Sequence, residues 1–271
     1  MKIQLGLIAL ALGVQAQPQT GHLTPRPGHP NAPLSGTIEF RSFPRIMLGN
    51  QWQTSLVLVN PGATPAQFQQ SFFDAGGNPV TISVHSDSPA IDVTAAAIQG
   101  VLTAGSSLML DLAAPGGSGP LQAWSLLSFT GGDIEGYATL GLQAPSGTFS
   151  FQTTLPLSHT QDVSTYMPFD NRQDFRSQVT LVNPASDTSA HVRLTYLNPQ
   201  GGIVLIDVVT LAPRQQTTLV LPDTYPDLAN KNGTVFIEAD TDRLSVAGLR
   251  QNVDYGVISA LPAANSVSTQ P

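Results

Sequence analysis

A nine-residue segment occurs twice in this chain, and this repeat constrains the fold more than any other feature. Residues 53–61 read QTSLVLVNP and residues 176–184 read RSQVTLVNP, so Asn60 and Asn183 lie 123 positions apart (183 − 60). Similarity at a fixed offset indicates that one structural unit is present twice.

The flanking residues agree in order. The matched positions of the two copies are Phe72-Phe73 with Thr195-Tyr196, Gly77 with Gly201, Val80 with Val204, Leu102 with Leu211, and Leu155-Pro156 with Leu261-Pro262. The first copy is longer, mostly through an insert around Ser86 to Gly100. The order of matches predicts two diverged copies of one module.

The segments inside each copy are short, rich in Val, Ile, Thr, Leu and Phe, and separated by Gly, Pro, Asn and Asp clusters. This spacing is typical of an all-β sandwich or barrel. We therefore predict two tandem antiparallel β-sandwich (Ig-like) domains, at residues 38–157 and 158–264, followed by a disordered tail at 265–271. The best candidate for a helical turn is Tyr225 to Ala229.

The N-terminus begins with Met1-Lys2, continues with an apolar stretch to Val14, and then reads Gln15-Ala16. A charged start, a short apolar run and a small residue at the end indicate a secretory signal peptide at 1–16. Residues 17–37 contain five prolines and predict a stiff Pro-rich linker. The expected location is outside the cell, in the periplasm or at the cell surface.

Charge and composition exclude several function classes. The net charge is −7, and the 11 Lys and Arg residues are scattered, so no basic stripe exists to bind nucleic acid. The absence of cysteine excludes disulfides, thiolate metal sites and cysteine nucleophiles. No segment after the signal peptide is long and apolar enough to predict a transmembrane helix. The oligomeric state stays open.

The strand that ends in the repeated Leu-Val-Asn-Pro segment has a different pattern of apolar and polar residues in the two copies. Val179 and Leu181 alternate with polar residues, which indicates a half-buried strand. The first copy is apolar on both faces from Leu56 to Val59, which predicts that the insert or the neighbouring module covers its second face. The Asn side chain is expected to close an Asx turn before the proline at the strand end.

The second copy, residues 163–264, resembles an uncharacterised tandem β-module found in exported proteins of Acidobacteria-like bacteria. The segments that carry the resemblance are MPFDN at 167–171, VTLVNP at 179–184, LVLPDTYP at 219–226, NGTV at 232–235 and GLRQN at 248–252. The polar run Arg214-Gln215-Gln216 departs from that pattern, which tends to be small and Gly-rich there. The resemblance implies an extracellular β-rich module with no catalytic residues to carry over.

Catalytic motifs are weak. The chain has no G-x-S-x-G elbow with an acid and a histidine. Asp133 and Glu135, like Asp240 and Asp242, lie two apart on one strand face and cannot flank a glycosidic bond from opposite sides. We predict no catalytic residues, no metal site and no cofactor, with a weak Ca²⁺-binding loop as the alternative.

The candidate ligand-binding residues are Trp124, Trp52 and Arg250. Together with Phe72, Phe73 and Tyr137, the two tryptophans could form a platform for sugar rings. They could instead belong to a core, since Phe175 stands in for Trp52 in the second copy. Arg250 could capture a ligand or pair with an acid such as Asp170 or Asp174.

The sequence therefore predicts a protein that is not an enzyme. The expected role is structural or interactive, adhesive or scaffold-like, with a protein or an extracellular polysaccharide as partner. A carbohydrate-binding module is the main alternative, and a secreted hydrolase is the third.

Overall fold

The computed structural model describes residues 24–25, 36–87, 90–117, 119–143, 149–159, 164–241, 243–252 and 257–265. Nearly all elements in these residues are antiparallel β-strands, as the sequence predicted. The helical elements among them are the helix α1 (Leu221–Thr224) and two 3-10 turns (Pro115–Gly117 and Pro226–Leu228). The second 3-10 turn overlaps the turn predicted at Tyr225 to Ala229. The signal peptide, most of the linker and all but the first residue of the tail lie outside the described residues.

The N-terminal half, defined here as strands β1 to β12, forms two sheets. Sheet A has the order β1-β7-β4-β9-β2-β12, and sheet B has the order β11-β10-β3-β8-β5-β6. The strands are β1 (Thr24–Pro25), β2 (Glu39–Leu48), β3 (Trp52–Val59), β4 (Ala66–Asp74), β5 (Ile82–Asp87), β6 (Ala90–Ala95), β7 (Ala97–Leu102), β8 (Ser107–Ala113), β9 (Leu121–Thr130), β10 (Glu135–Gln143), β11 (Phe149–Pro156) and β12 (Ser158–His159).

The C-terminal half, strands β13 to β21, forms two more sheets. Sheet C has the order β16-β15-β18-β13-β21, and sheet D has the order β17-β14-β19-β20. Its elements are β13 (Ser164–Asp170), β14 (Arg176–Val182), β15 (Ala190–Leu197), β16 (Ile203–Leu211), β17 (Gln216–Val220), α1 (Leu221–Thr224), β18 (Asn232–Ala239), β19 (Ser245–Asn252), β20 (Val257–Leu261) and β21 (Ala264–Asn265).

The two halves pair their main strands in the same order. The order β7-β4-β9-β2 in sheet A corresponds to β16-β15-β18-β13 in sheet C, and β8-β3-β10-β11 in sheet B corresponds to β17-β14-β19-β20 in sheet D. The N-terminal half adds the hairpin β5–β6, which leaves sheet A after β4 and extends sheet B. This hairpin spans residues 82–95 and accounts for the extra length of the first copy.

Each half encloses its core between its two sheets, as in a β-sandwich. Phe43, Phe72 and Phe129 of sheet A meet Leu56 and Leu110 of sheet B, and all five side chains are fully buried. The immunoglobulin order places the first strand beside the second and the seventh beside the sixth. Here the first main strand pairs with the sixth and the seventh with the second. The immunoglobulin-like part of the prediction is therefore not confirmed.

The repeated asparagine has the same role in both halves. Asn60 Oδ1 accepts a hydrogen bond from Gly62 N at 2.9 Å, and Asn183 Oδ1 accepts one from Ala185 N at 3.1 Å. The Nδ2 group of Asn60 donates to the Leu102 carbonyl, and that of Asn183 donates to the Leu211 carbonyl. These are the Asx turns predicted at the strand ends, and both side chains are fully buried.

The burial of the repeated strand is the reverse of the prediction. In β14 the polar residues that were expected to face solvent, Gln178 and Thr180, are at most 4% exposed, and Val182 on the same face is fully buried. In β3, by contrast, Val57 and Val59 are only half-buried. The reason is that the outer face of sheet D packs against the N-terminal half, whereas the outer face of sheet B stays open.

The contact between the halves combines apolar and polar groups. One shared cluster joins Leu140 and Leu155 of sheet B to Leu249 and Ile258 of sheet D. Arg45 is buried there and its Nη1 donates to Thr180 Oγ1 at 3.1 Å. Burial lowers the pKa of the Arg45 guanidinium to about 10. Polar side chains on the outer faces of sheets A and D thus find partners across the contact.

The polar run at residues 214–216 lies in this contact. Gln216 Nε2 donates to the carbonyls of Pro44 (2.6 Å) and Ala123 (3.2 Å). Arg214 lies over the ring of Phe73, 5.0 Å from its centroid. Gly77 adopts φ +88°, and an added Cβ there would come within 2.8 Å of the Arg214 carbonyl oxygen. The polar run therefore forms the loop that holds the C-terminal half against the N-terminal half.

Candidate functional site

Trp124 lies in the contact between the halves. Its side chain is 0% exposed, it stacks on Phe73 with ring centroids 4.7 Å apart, and it packs against Val182. The indole Nε1 donates to the Arg214 carbonyl at 3.0 Å. Because protein atoms cover the ring, it has no face to offer a sugar in this structure.

Trp52 is half-buried and lies in a different sheet. It packs edge-on against Phe151, with centroids 5.8 Å apart, beside the cluster shared by Leu140 and Leu249. Trp52 is in β3 of sheet B, and Trp124 is in β9 of sheet A. The structure therefore does not bring the two tryptophans together into one platform.

Arg250 forms the structural ion pair that the sequence suggested. Its Nη2 donates to Asp170 Oδ2 at 2.9 Å, and its guanidinium carbon lies 3.5 Å from the centroid of the Phe175 ring. Arg172 Nε donates to the other oxygen of Asp170 at 2.9 Å. The side-chain and backbone hydrogen bonds from Arg172, followed by the charge of Arg250, lower the pKa of Asp170 against the opposing effect of burial. Arg250 is thus occupied within the protein.

This cluster predicts a loss of stability in acid. A carboxylate with a lowered folded pKa contributes stability above its unfolded pKa of about 3.9 and loses it as the pH falls through the folded value. We expect Asp170→Asn to cost about 1 kcal/mol at pH 7, since the side chain is partly exposed. The difference from the wild type should shrink as the pH falls below about 4. Urea unfolding across this range measures it.

Arg172→Gln is the matched control, because Arg172 supplies the largest effect on the Asp170 pKa. In that background Asp170→Asn should show a smaller pH dependence. An Asp170→Asn deficit that stays constant from pH 7 to pH 2 would contradict the assignment.

The outer face of sheet B is an open groove of about 730 Å³. One row of outward side chains crosses three strands, with Tyr137 opposite Val57 and Val57 opposite Met109. Tyr137 is 44% exposed and Met109 is 53% exposed. This row supplies apolar and aromatic contact area at the surface.

A second row of polar side chains lies beside the first and crosses all six strands of sheet B. In strand order from β11 to β6 its members are Thr154, Thr139, Ser55, Asp111, His85 and Asp92. At about 4.8 Å per strand the row extends about 24 Å. Ser55 Oγ donates to Asp111 Oδ1 at 2.5 Å, which orients this carboxylate within the groove.

The hairpin β5–β6 completes the groove. It contributes His85 and Asp92, which extend the polar row by two strands that the C-terminal half lacks. The sequence signals for this groove were the insert and the two apolar faces of Leu56 to Val59. Their combination was interpreted as a covered strand, so the open face was missed.

The acidic residues considered for hydrolysis are engaged separately. Asp133 lies 3.8 Å from Arg41, and Glu135 lies 3.6 Å from His159. Asp240 accepts hydrogen bonds from the His191 backbone and side chain, and these lower its pKa. Asp242 lies outside the described residues. The part of the chain that the structure describes contains no group of three His, Asp or Glu side chains able to hold a metal ion, so it lends no support to the Ca²⁺ alternative.

Comparison with protein-family models, with curated proteins and with solved structures gives no match. The fold itself defines the class of this chain, which is an all-β protein built from facing antiparallel sheets. Within the described ranges, none of the helices has the length and apolar character needed to cross a membrane.

Proposed function

We propose that this chain is a non-catalytic interaction protein that works outside the cell and binds an extended polysaccharide on the outer face of sheet B. The observation that carries the proposal is the six-strand polar row beside the exposed ring of Tyr137. The signal-peptide pattern at 1–16 and the resemblance to an exported β-module support the extracellular location.

The chemistry of the groove favours a sugar polymer. Hydroxyl, carboxylate and imidazole groups in a row match the many hydroxyl groups of a glycan, and an exposed aromatic ring offers an apolar face for a sugar ring. The residues around the groove include Asp92, Asp111 and His85 but neither lysine nor arginine. Like charges would repel a polyanion, so we propose a neutral chain.

The two halves serve this role as a tandem pair. We propose that they are diverged copies of one sandwich module, in which the C-terminal copy supports the first through the face of sheet D. The N-terminal copy carries the insert and thus the binding groove. The corresponding strand orders and the paired asparagines Asn60 and Asn183 support this interpretation.

A glycan array probed with the purified protein, with and without Ca²⁺, tests the proposal. We expect Tyr137→Ala to weaken binding to a neutral glycan about tenfold, a loss of ~1.4 kcal/mol. Tyr166→Ala is the matched control, since Tyr166 is an exposed tyrosine on sheet C, away from the groove. Equal losses in both variants, or no glycan binding at all, would refute the proposal.

The same purified protein also tests the alternative that the chain is a hydrolase. Incubation of a bound glycan with the wild-type protein should release no new reducing ends. Release that disappears in Asp111→Asn would instead identify the groove as an active site. If the protein bound an added protein and retained no glycan, its partner would be a protein and not a polysaccharide.

A further inference from the structure

Strand β16 forms one edge of sheet C, and its outer backbone edge has no pairing strand among the described residues. It is nine residues long, reads IVLIDVVTL, and contains neither proline nor lysine. Its one charged side chain, Asp207, accepts a hydrogen bond from Tyr225 Oη at 2.6 Å. Long apolar edges of this kind are templates for pairing with another strand.

Three of the four exposed side chains of β16 are apolar, and the fourth is Thr210. Ile203, Ile206 and Val208 are 63%, 43% and 58% exposed, and they are three of the nine large hydrophobic residues exposed in the described part of the chain. Such exposed apolar residues concentrated on one edge indicate an interaction surface.

Most other sheet edges in the described residues are short or covered. Strands β1, β12 and β21 have two residues each. Strands β11 and β20 face each other across the contact between the halves, where Ala260 N donates to Thr153 Oγ1. The edge β17 lies beside Ala75, whose carbonyl accepts from Gln216 N. The remaining edge, β6, presents the exposed polar side chains Asp92 and Thr94.

The N-terminal half shows how this fold closes the edge that corresponds to β16. Its counterpart β7 is paired by β1, an extended segment from the N-terminal region, with Thr24 opposite Gln99. Among the described residues β1 is the one segment of this kind, and it pairs with Ile98 and Gln99 of β7. None of the strands in the described ranges pairs with the outer edge of β16, so this edge is free to accept a strand from a second copy.

We propose that β16 pairs with β16 of a second copy, forming an antiparallel ladder about a two-fold axis. A register with Val208 opposite Val208 sets Ile206 opposite Thr210 and Asp207 opposite Val209. It aligns residues 205–211 and keeps the two Asp207 carboxylates from facing each other, which would be unfavourable. Such isologous contacts are the commonest way in which identical chains associate.

The groove on sheet B belongs to the other half and stays free in this dimer. Two copies would present two glycan-binding grooves on one particle, which raises avidity for a polymer without new contacts. The dimer itself does not depend on the proposed ligand, so either proposal can fail alone.

Sedimentation of the purified protein without glycan, over concentrations from about 1 to 100 μM, tests the dimer. We expect Val208→Lys to raise the dimer dissociation constant at least about hundredfold, because two lysines would meet at the axis. The matched control is Val101→Lys, which replaces an exposed valine on β7 of the other half, away from the β16 edge. Far-UV circular dichroism confirms that both variants keep the fold.

Single cysteines test the register, because the native chain has none. Under mild oxidation Val208→Cys should form a disulfide-linked dimer, since directly opposite residues in an antiparallel pair have the Cα separation that a disulfide needs. Val101→Cys should remain monomeric on a denaturing gel. A monomer at all concentrations, or a dimer that Val208→Lys does not weaken, would overturn the proposal.

Discussion

Replacement of Trp124 by alanine is expected to lower the free energy of unfolding by about 3–5 kcal/mol, the usual cost of emptying the site of a buried large aromatic residue. The indole ring is fully buried, and it fills the space between Phe73 of the N-terminal half and Val182 of the C-terminal half. The variant also leaves the Arg214 carbonyl without its donor. Because both halves contact this ring, its loss should weaken the packing of the N-terminal half against the C-terminal half.

Urea unfolding followed by far-UV circular dichroism measures this loss. Trp52→Ala is the control, since Trp52 is half-buried and should cost only about 1–2 kcal/mol. The wild-type halves are expected to unfold together, and Trp124→Ala should broaden the transition as they begin to separate. If Trp124→Ala cost less than about 1 kcal/mol and abolished glycan binding instead, the ring would belong to a ligand site.

Asn183→Ala is expected to cost about 2–4 kcal/mol, because it strips several buried backbone groups of their partners. Asn183 Nδ2 donates to the carbonyls of Thr188 (2.7 Å), Leu211 (3.3 Å) and Ala212 (3.1 Å). Its Oδ1 also accepts from Ala185 N. Alanine fills none of these roles, and water has little access to a side chain that is fully buried.

The matching asparagine of the first copy, Asn60, allows a second test, and Asn198 in an exposed turn provides the control. Asn60→Ala should show a comparable loss, since Asn60 bonds to Thr64, Leu102 and Gly62 in the same arrangement. Asn198→Ala should cost less than about 1 kcal/mol, since the hydrogen bonds of Asn198 lie in an exposed turn. Thermal and urea unfolding of the three variants should rank them accordingly. A loss in Asn183→Ala no larger than that in Asn198→Ala would contradict the structural role.

Features set by local chemistry were predictable. Gly77 and Gly201, which are matched positions of the repeat, both adopt positive φ in the turns that follow β4 and β15. The Asn-Pro pairs end their strands with the predicted Asx turns. These features depend on a few adjacent residues, so a single sequence contains the information for them.

Other local features had no clear signal. Asn50-Gln51 and Gln173-Asp174 occupy the same repeat positions, and all four have positive φ. Asparagine is frequent in that conformation, but glutamine is not. The turn geometry is determined by the strands on either side, and the residue types alone did not indicate it.

Burial of the outer sheet faces was not predictable from periodicity. The alternation of residues along β3 and β14 correctly separates the side chains that face the core from those that face outward. It wrongly predicts that a polar outer face is exposed to solvent and that an apolar outer face is covered by protein. In the structure Thr180 accepts a hydrogen bond from Arg45, and Gln216 donates one to the Pro44 carbonyl. Because these hydrogen bonds cross the contact between the halves, polar outer residues are buried. An apolar outer residue such as Val57 is left in an open groove.

The sequence by itself determined the strand class, the repeat and the Asn-Pro turns, because each follows from neighbouring residues or from a match along the chain. For Arg250 it left ligand capture and an ion pair open, and the tertiary structure decided for the ion pair with Asp170. Only the tertiary structure decided that Trp124 is buried between the halves and that the face beside Tyr137 is open. The physical reason is that the cover of a sheet face comes from residues far apart in the chain, and polar faces can be buried when hydrogen bonds across the contact satisfy them.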